Sequence, residues 1–443
     1  ENSTLVMQGG LMEGCEGGSR GGALFARDGV VAIADATFRF NMVYGRGGGG
    51  LYLDRSAAHT VVETVFEGNF ASGGDGGGIY VDRGDGVVLD GLTLSNNVSA
   101  YAQGGGGIFV KEGPAYLASS LMVGNSGASG GGLYVENSAA SQVVDVSFVG
   151  NYAMDRGGAV FVDAGAFDLD GGAFESNIAS SNGGAIHWTS NGVGTVGGSH
   201  FCFNAAGGSG GAVYADGGTF SMSYSSFLFN DSADAGGAVS VAGSFVPPAT
   251  LTQLSFAGNH SAIGLGDAVH SSRNTTFLER SWMGYHDGTA VVSSAPANVV
   301  GADNAYWGNA INTAGGFSDA NAVFGSAEIL EPFSCESSLV PLVGSALDLG
   351  PGAWIGRYEP IDQDGDGDGF TASIDCNDED AGVFPGQTEL CNGVDDNCVA
   401  GIDEGLADSD ADGVCDGLDA CVGDDRVGDA DSDGVCADLD CDD

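Results

Sequence analysis

Hydrophobic and polar positions along this chain follow a short phrase that returns every 25 to 30 residues. Two glycines, a small residue, an aliphatic, usually an aromatic and usually a second aliphatic begin at Gly21, Gly48, Gly76, Gly105, Gly130, Gly157, Gly183, Gly210, Gly236 and Gly266. A second marker, an apolar residue three positions before an asparagine, keeps step with it. It ends at Asn41, Asn69, Asn97, Asn125, Asn151, Asn177, Asn204, Asn230 and Asn259. Two signals held in phase over most of the chain imply a solenoid in which each unit stacks on the next. The unit is strand-like. In residues 130–156 a glycine turn leads into the strand Leu133-Tyr134-Val135, a polar turn, the strand Val143 to Phe148 and the asparagine corner. No window has helical periodicity, which excludes repeats that carry helices.

Side chains on a strand alternate between faces, so the fourth and sixth positions of the phrase share one face and the fifth and seventh the other. Asp54, Asp82, Lys111, Glu136, Asp163 and Asp216 occupy the seventh position, which predicts that this face meets water. Leu51, Ile79, Ile108, Leu133, Val160, Ile186 and Val213 then point inward. The fifth position carries Phe25, Tyr52, Tyr80, Phe109, Tyr134, Phe161, His187 and Tyr214, expected as an external ladder at about the 4.8 Å rung spacing. Such a row is either a contact surface, with Tyr52, Tyr80, Phe109, Tyr134, Phe161 and Tyr214 as binding candidates, or a set of rings packed on one another. The asparagines read as structural: each amide bonds its neighbours above and below and satisfies the corner backbone. Asn97, Asn230 and Asn259 also stand in glycosylation sequons, which corner burial would shield, whereas Asn2 and Asn274 stay open to modification.

The 443 residues include 80 glycines and carry a formal net charge of -48, which makes nucleic acid and anionic membrane surfaces unfavourable partners. No apolar run is long enough for a membrane-spanning helix, and the chain reads as a mature form whose leader has been removed. Seven of ten cysteines crowd the stretch from Cys376 to Cys441, which suggests disulfides and an oxidising compartment.

The Gly-Gly-Ala-Val and Phe-x-x-Asn pair resembles the repeats of polymorphic outer-membrane proteins and related pectate-lyase-like β-helices. The resemblance covers about residues 10–310 and implies surface adhesins and passenger domains more often than enzymes. The expected fold is all-β: a right-handed parallel β-helix solenoid of about ten coils over 1–310, with a small loop-rich tail stabilised by calcium and disulfides. Tyr306-Trp307-Gly308-Asn309 reads as a last degenerate corner, and 311–360 as cap and linker.

From Ile361 the composition changes. Twenty-seven of the 60 acidic residues fall after that point, with Arg426 as the only cation. Asp364, Asp366, Asp368, Gly369 and Asp375 have the spacing of a twelve-residue calcium loop; Asp408, Asp410, Asp412, Gly413 and Asp419 repeat it, as do Asp429, Asp431, Asp433, Gly434 and Asp440. Alternate carboxylates converge on one ion, the glycine permits the sharp turn, and Phe370, Val414 and Val435 offer carbonyls. Hard oxygen donors suit Ca2+. The segment 361–405 is similar to the metal-binding motif of the copper-binding MopE family, with Cys398-Val399-Ala400 where that motif continues Cys-Asp-Gly. Residues 406–443 resemble thrombospondin type-3 calcium repeats.

Three functions fit these readings: a secreted surface adhesin or fibre, with self-association or a cell-surface glycan as partner; a polysaccharide lyase or glycoside hydrolase; and a non-catalytic carbohydrate-binding protein. Asp168 and Asp170 share a strand face as a candidate acid/base pair, although a solvated face explains them equally. A lyase would want clustered cations, and the arginines are scattered in sequence. The residues favour a protein without catalysis.

Overall fold

The computed structural model describes residues 4–325 and eight positions between 377 and 394, with interruptions at 56–58, 85, 101–103, 190–191, 246, 274, 285, 287, 295–297, 308, 310, 316 and 321. The described chain is all-β, without helix, and winds as a right-handed parallel β-solenoid. Each full coil contributes to four strand ladders. The first holds the strands that follow the paired glycines, such as Leu51–Asp54, Ile79–Asp82 and Ile108–Lys111. The second holds Thr60–Val62, Val87–Asp90 and Ala115–Ala118. The third holds Val65–Glu67 and Thr93–Ser95, and the fourth, past the asparagine corner, Phe70–Ala71 and Val98–Ser99. The third ladder runs to thirteen rungs and the fourth to ten. Pairing continues to Val323–Gly325.

The register repeats the sequence period. Leu51 pairs with Ile79, Ile79 with Ile108, Ile108 with Leu133 and Leu133 with Val160, all parallel and all buried. Three coils depart from the expected unit. Leu133–Val144, Val160–Asp170 and Val213–Ser223 are continuous strands that join the first ladder to the second, so the polar stretch after Val135 is a bend within a strand. A register irregularity between Ser138 and Ser141 absorbs it.

The core has two kinds of periodic interior. On the third ladder Phe148, Phe174, Phe201, Phe227 and Phe256 stack inside with ring centroids 4.6 to 4.9 Å apart. Beside them runs the amide ladder. Asn151 Nδ2 donates to Asn177 Oδ1 at 3.0 Å and to Met122 O at 2.9 Å, while Asn151 Oδ1 accepts from Asn125 N and Nδ2 at 3.0 Å. The pattern holds from Asn41 to Asn259, and Asn97, Asn230 and Asn259 are buried within it. At one end Cys15 N donates to Asn41 Oδ1. At the other, His286 takes the corner position, with its Nδ1 3.1 Å from Asn259 O, and Asn309 then resumes the corner role by accepting from His286 N at 3.2 Å.

The chain divides into two compact units, one formed by Glu1–Glu328 with Cys335–Gly356, the other by Ile329–Ser334 with Arg357–Asp443. In the second, Asp380 N donates to Asn377 O and Val383 N to Asp380 O, a pair of successive turns around the buried Val383.

Candidate functional site

The aromatic row exists, but it does not face water. Tyr52, Tyr80, Phe109, Tyr134 and Phe161 are buried and form a cluster of their own, apart from the lumenal core. Their rings follow one another at 4.6 to 4.9 Å, which is the rung spacing. A side chain at Gly48 would come within 3.0 Å of the Tyr52 Cβ, and one at Gly105 within 2.9 Å of the Phe109 Cβ, so each glycine turn passes close to the base of the aromatic four residues later. Phe25 follows the same turn but ends the row and is exposed, whereas the buried rings each have a neighbour on both sides. Of the binding candidates only Tyr214 is half-buried, and Phe25, at the first rung of the row, is the ring left open.

The seventh position is corrected with it. Asp54 and Asp82 are buried, while Lys111, Glu136, Asp163 and Asp216 are half-buried. The tyrosine hydroxyls reach this column one coil on: Tyr52 donates to Asp82 Oδ2 at 3.0 Å and Tyr134 to Asp163 Oδ2 at 3.4 Å. Burial first, and then these carboxylates, push both phenols well above their ordinary range.

The arginines, scattered in sequence, are not scattered in space. Four converge on the buried Asp54: Arg27 Nε at 2.7 Å and Arg20 Nη1 at 3.5 Å from Oδ2, Arg83 Nη2 at 3.6 Å and Arg55 Nε at 3.7 Å from Oδ1. Arg83 also forms a bidentate pair with Asp82, both contacts at 3.0 Å. Arg20 and Arg27 lie over the Phe25 ring at 5.5 and 5.4 Å, within cation–π range. The solenoid places them through its period. Arg55 and Arg83 are the left-handed turn residues after successive first-ladder strands, and Arg27 pairs with Asp54 in register.

Asp168 and Asp170 do share an exposed face, but Asp168 Oδ1 is engaged by Thr195, accepting from its N at 3.0 Å and its Oγ1 at 2.9 Å. On the third ladder His200 lies between Ser226, bonded to its Nδ1, and Cys202, whose Sγ is 3.1 Å from Nε2. Burial holds that imidazole down at about 4, so it is neutral at physiological pH.

The predicted calcium ligands Asp364, Asp366, Asp368, Phe370, Asp375, Asp408, Asp410, Asp412, Asp419, Asp429, Asp431, Asp433 and Asp440 lie outside the described residues. Among the described residues no group of three His, Cys, Asp or Glu side chains is placed to hold a metal, and no helix is long and apolar enough to cross a membrane.

Residues 16–204 match the family described as right handed beta helix region, and residues 375–404 match the metal-binding motif of the copper-binding MopE family. No curated protein matches the chain. Among solved structures, a PL6 alginate lyase complex with a trisaccharide is similar at 9% identity over 70% of this chain and 79% of that one, with a TM-score of 0.32.

Proposed function

We propose that this protein is a secreted, cell-surface structural or adhesive protein whose acidic tail is held in shape by Ca2+. The observation that carries the reading is where the periodic residues go. The asparagines bond to one another, the third-ladder phenylalanines stack inside, and the fifth-position rings stack on one another in a buried row. Nearly every repeated feature thus serves rung-to-rung cohesion, which holds the solenoid together from short units. The match to a metal-binding motif at 375–404 supports a tail organised by metal, and the aspartate-glycine spacing of the three loops supports calcium as that metal. Extracellular residence accords with the crowding of seven cysteines between Cys376 and Cys441.

The reading is tested on purified full-length protein, imaged by negative-stain microscopy and sedimented in calcium and after chelation. Calcium-dependent assemblies or surface attachment are expected. Monomers under every condition, together with release of sugar from acidic or neutral polysaccharides, would favour the lyase or hydrolase alternative instead.

A further inference from the structure

The arginine cluster around Asp54 is larger than its buried carboxylates require. Two buried carboxylates lie in it: Arg27 at 2.7 Å gives Asp54 a close, charge-assisted bond, and Arg83 gives Asp82 a bidentate pair. Arg20 and Arg55 are added to these, and Arg46 is near enough for its charge to be felt at the Tyr52 hydroxyl. Residues 20–83 hold six of the chain's twelve cations against seven of its 60 carboxylates, which leaves six cations against 53 carboxylates for the remainder. Arg20 Nε and Asp54 Oδ1 are buried without a hydrogen-bond partner among the described residues. The side chains of Arg27, Arg55 and Arg83 are 40, 54 and 38% solvent-accessible, and that of Arg20 is 20%.

From this we infer that the outer face of the first coils is a binding site for an acidic polysaccharide, with the guanidinium groups taking its carboxylate or sulfate groups and Phe25 flanking a sugar ring. The inference deepens the proposed function by naming a class of partner. The planar fork of arginine matches a carboxylate or sulfate through paired N–H donors. Arg27, Arg55 and Arg83 come from three successive coils and gather at Asp54, so their outward N–H groups form one compact site for anionic groups. The exposed ring of Phe25, already beneath Arg20 and Arg27, adds an apolar face at the edge of the cluster. The large negative charge of the whole chain does not prevent this, because salt at physiological strength screens charges beyond about 8 Å. Glu112, whose charge acts on Arg83, marks the limit of the patch on the later-coil side.

The test titrates calcium-saturated full-length protein into fluorescently labelled polygalacturonate and dextran sulfate, with uncharged dextran and poly-glutamate as controls. The double variant Arg20→Gln/Arg55→Gln leaves Arg27 and Arg83 on Asp54 and should melt with the parent. Binding of either anionic glycan is expected to weaken about tenfold in that variant and to fall with salt, while Arg156→Gln, far along the solenoid, leaves it unchanged. The ratio of the two polymers tells which anionic group the site takes. Equal binding of dextran, full competition by poly-glutamate, or an affinity indifferent to Arg20→Gln/Arg55→Gln overturns the inference. Imaging the same samples separates the two claims: calcium-dependent assemblies without glycan binding sink only the polysaccharide site, and glycan binding without assemblies sinks only the assembly.

Discussion

Truncating Asn151 to alanine removes the middle of the amide ladder, and the structure says what is left behind. The Asn125 N–H and one Asn125 Nδ2 hydrogen lose their acceptor, and Met122 O loses a donor. Asn177 Oδ1 keeps the backbone N–H of residue 151. Each buried polar group left without a partner costs about 1–3 kcal/mol, so three give a range of about 3–9 kcal/mol, with about 4 kcal/mol expected if a water enters the vacated space. Asn41→Ala should cost about two-thirds as much, because it strands two groups, Cys15 N and Met12 O, where Asn151→Ala strands three. A solenoid need not unfold in one step, so the sensitive assay is amide hydrogen exchange. The Asn125 amide should exchange about a thousandfold faster in Asn151→Ala, the ratio that about 4 kcal/mol implies. Unchanged protection at Asn125, with a melting temperature within a degree of the parent, would refute the claim that the amides hold the corners.

Two glycines separate crowding from backbone strain. In Gly131→Ala the new methyl meets Gly158 O and, at 2.5 Å, Tyr152 O, so a loss above about 3 kcal/mol is expected; Gly150→Ala has a positive φ but open space and should lose only about 1 kcal/mol, both read by chemical denaturation. His59 accepts from Val31 N at 3.0 Å, and burial lowers its folded pKa to about 4, against about 6.5 unfolded. The unfolded chain therefore binds the proton first, and stability should fall as pH drops from about 6.5 towards 4, by about 2 kcal/mol at pH 5 from this group alone; a melting temperature flat across that window would exclude it. Chelation should open the tail to proteolysis after Ile361 while the solenoid's circular dichroism stays unchanged, and equal cleavage with and without calcium would count against the metal loops.

The solenoid was legible because its two markers are in phase, and each marks a position that stacks on its own copy one coil later. A glycine pair or an asparagine at every turn is a statement about neighbours in space as much as in sequence. The joining of two ladders at Leu133–Val144 was not legible, since a polar run such as Glu136 to Ser141 reads as a turn whether the backbone turns or only bends. The calcium loops remain a reading of spacing alone, as their residues lie outside those described.

The two departures at the surface share one cause. Strand parity separates two faces but does not say what lies over the outer one, and here successive rings cover one another from rung to rung. The spacing held a clue: a residue without a side chain four positions before an aromatic lets the turn pass close to the base of that side chain, as at Gly48 and Tyr52. The arginines follow the same logic. Arg55 and Arg83 are one coil apart, and Arg27 stands one coil before Asp54, so a cluster was written in the sequence at the solenoid's own period. Linear scatter is the wrong test in such a fold, because residues one period apart are near neighbours in space. Charges that recur at the coil length form a patch, and this one is compensated by Asp54, in the column of Arg27 and beside the column of Arg55 and Arg83.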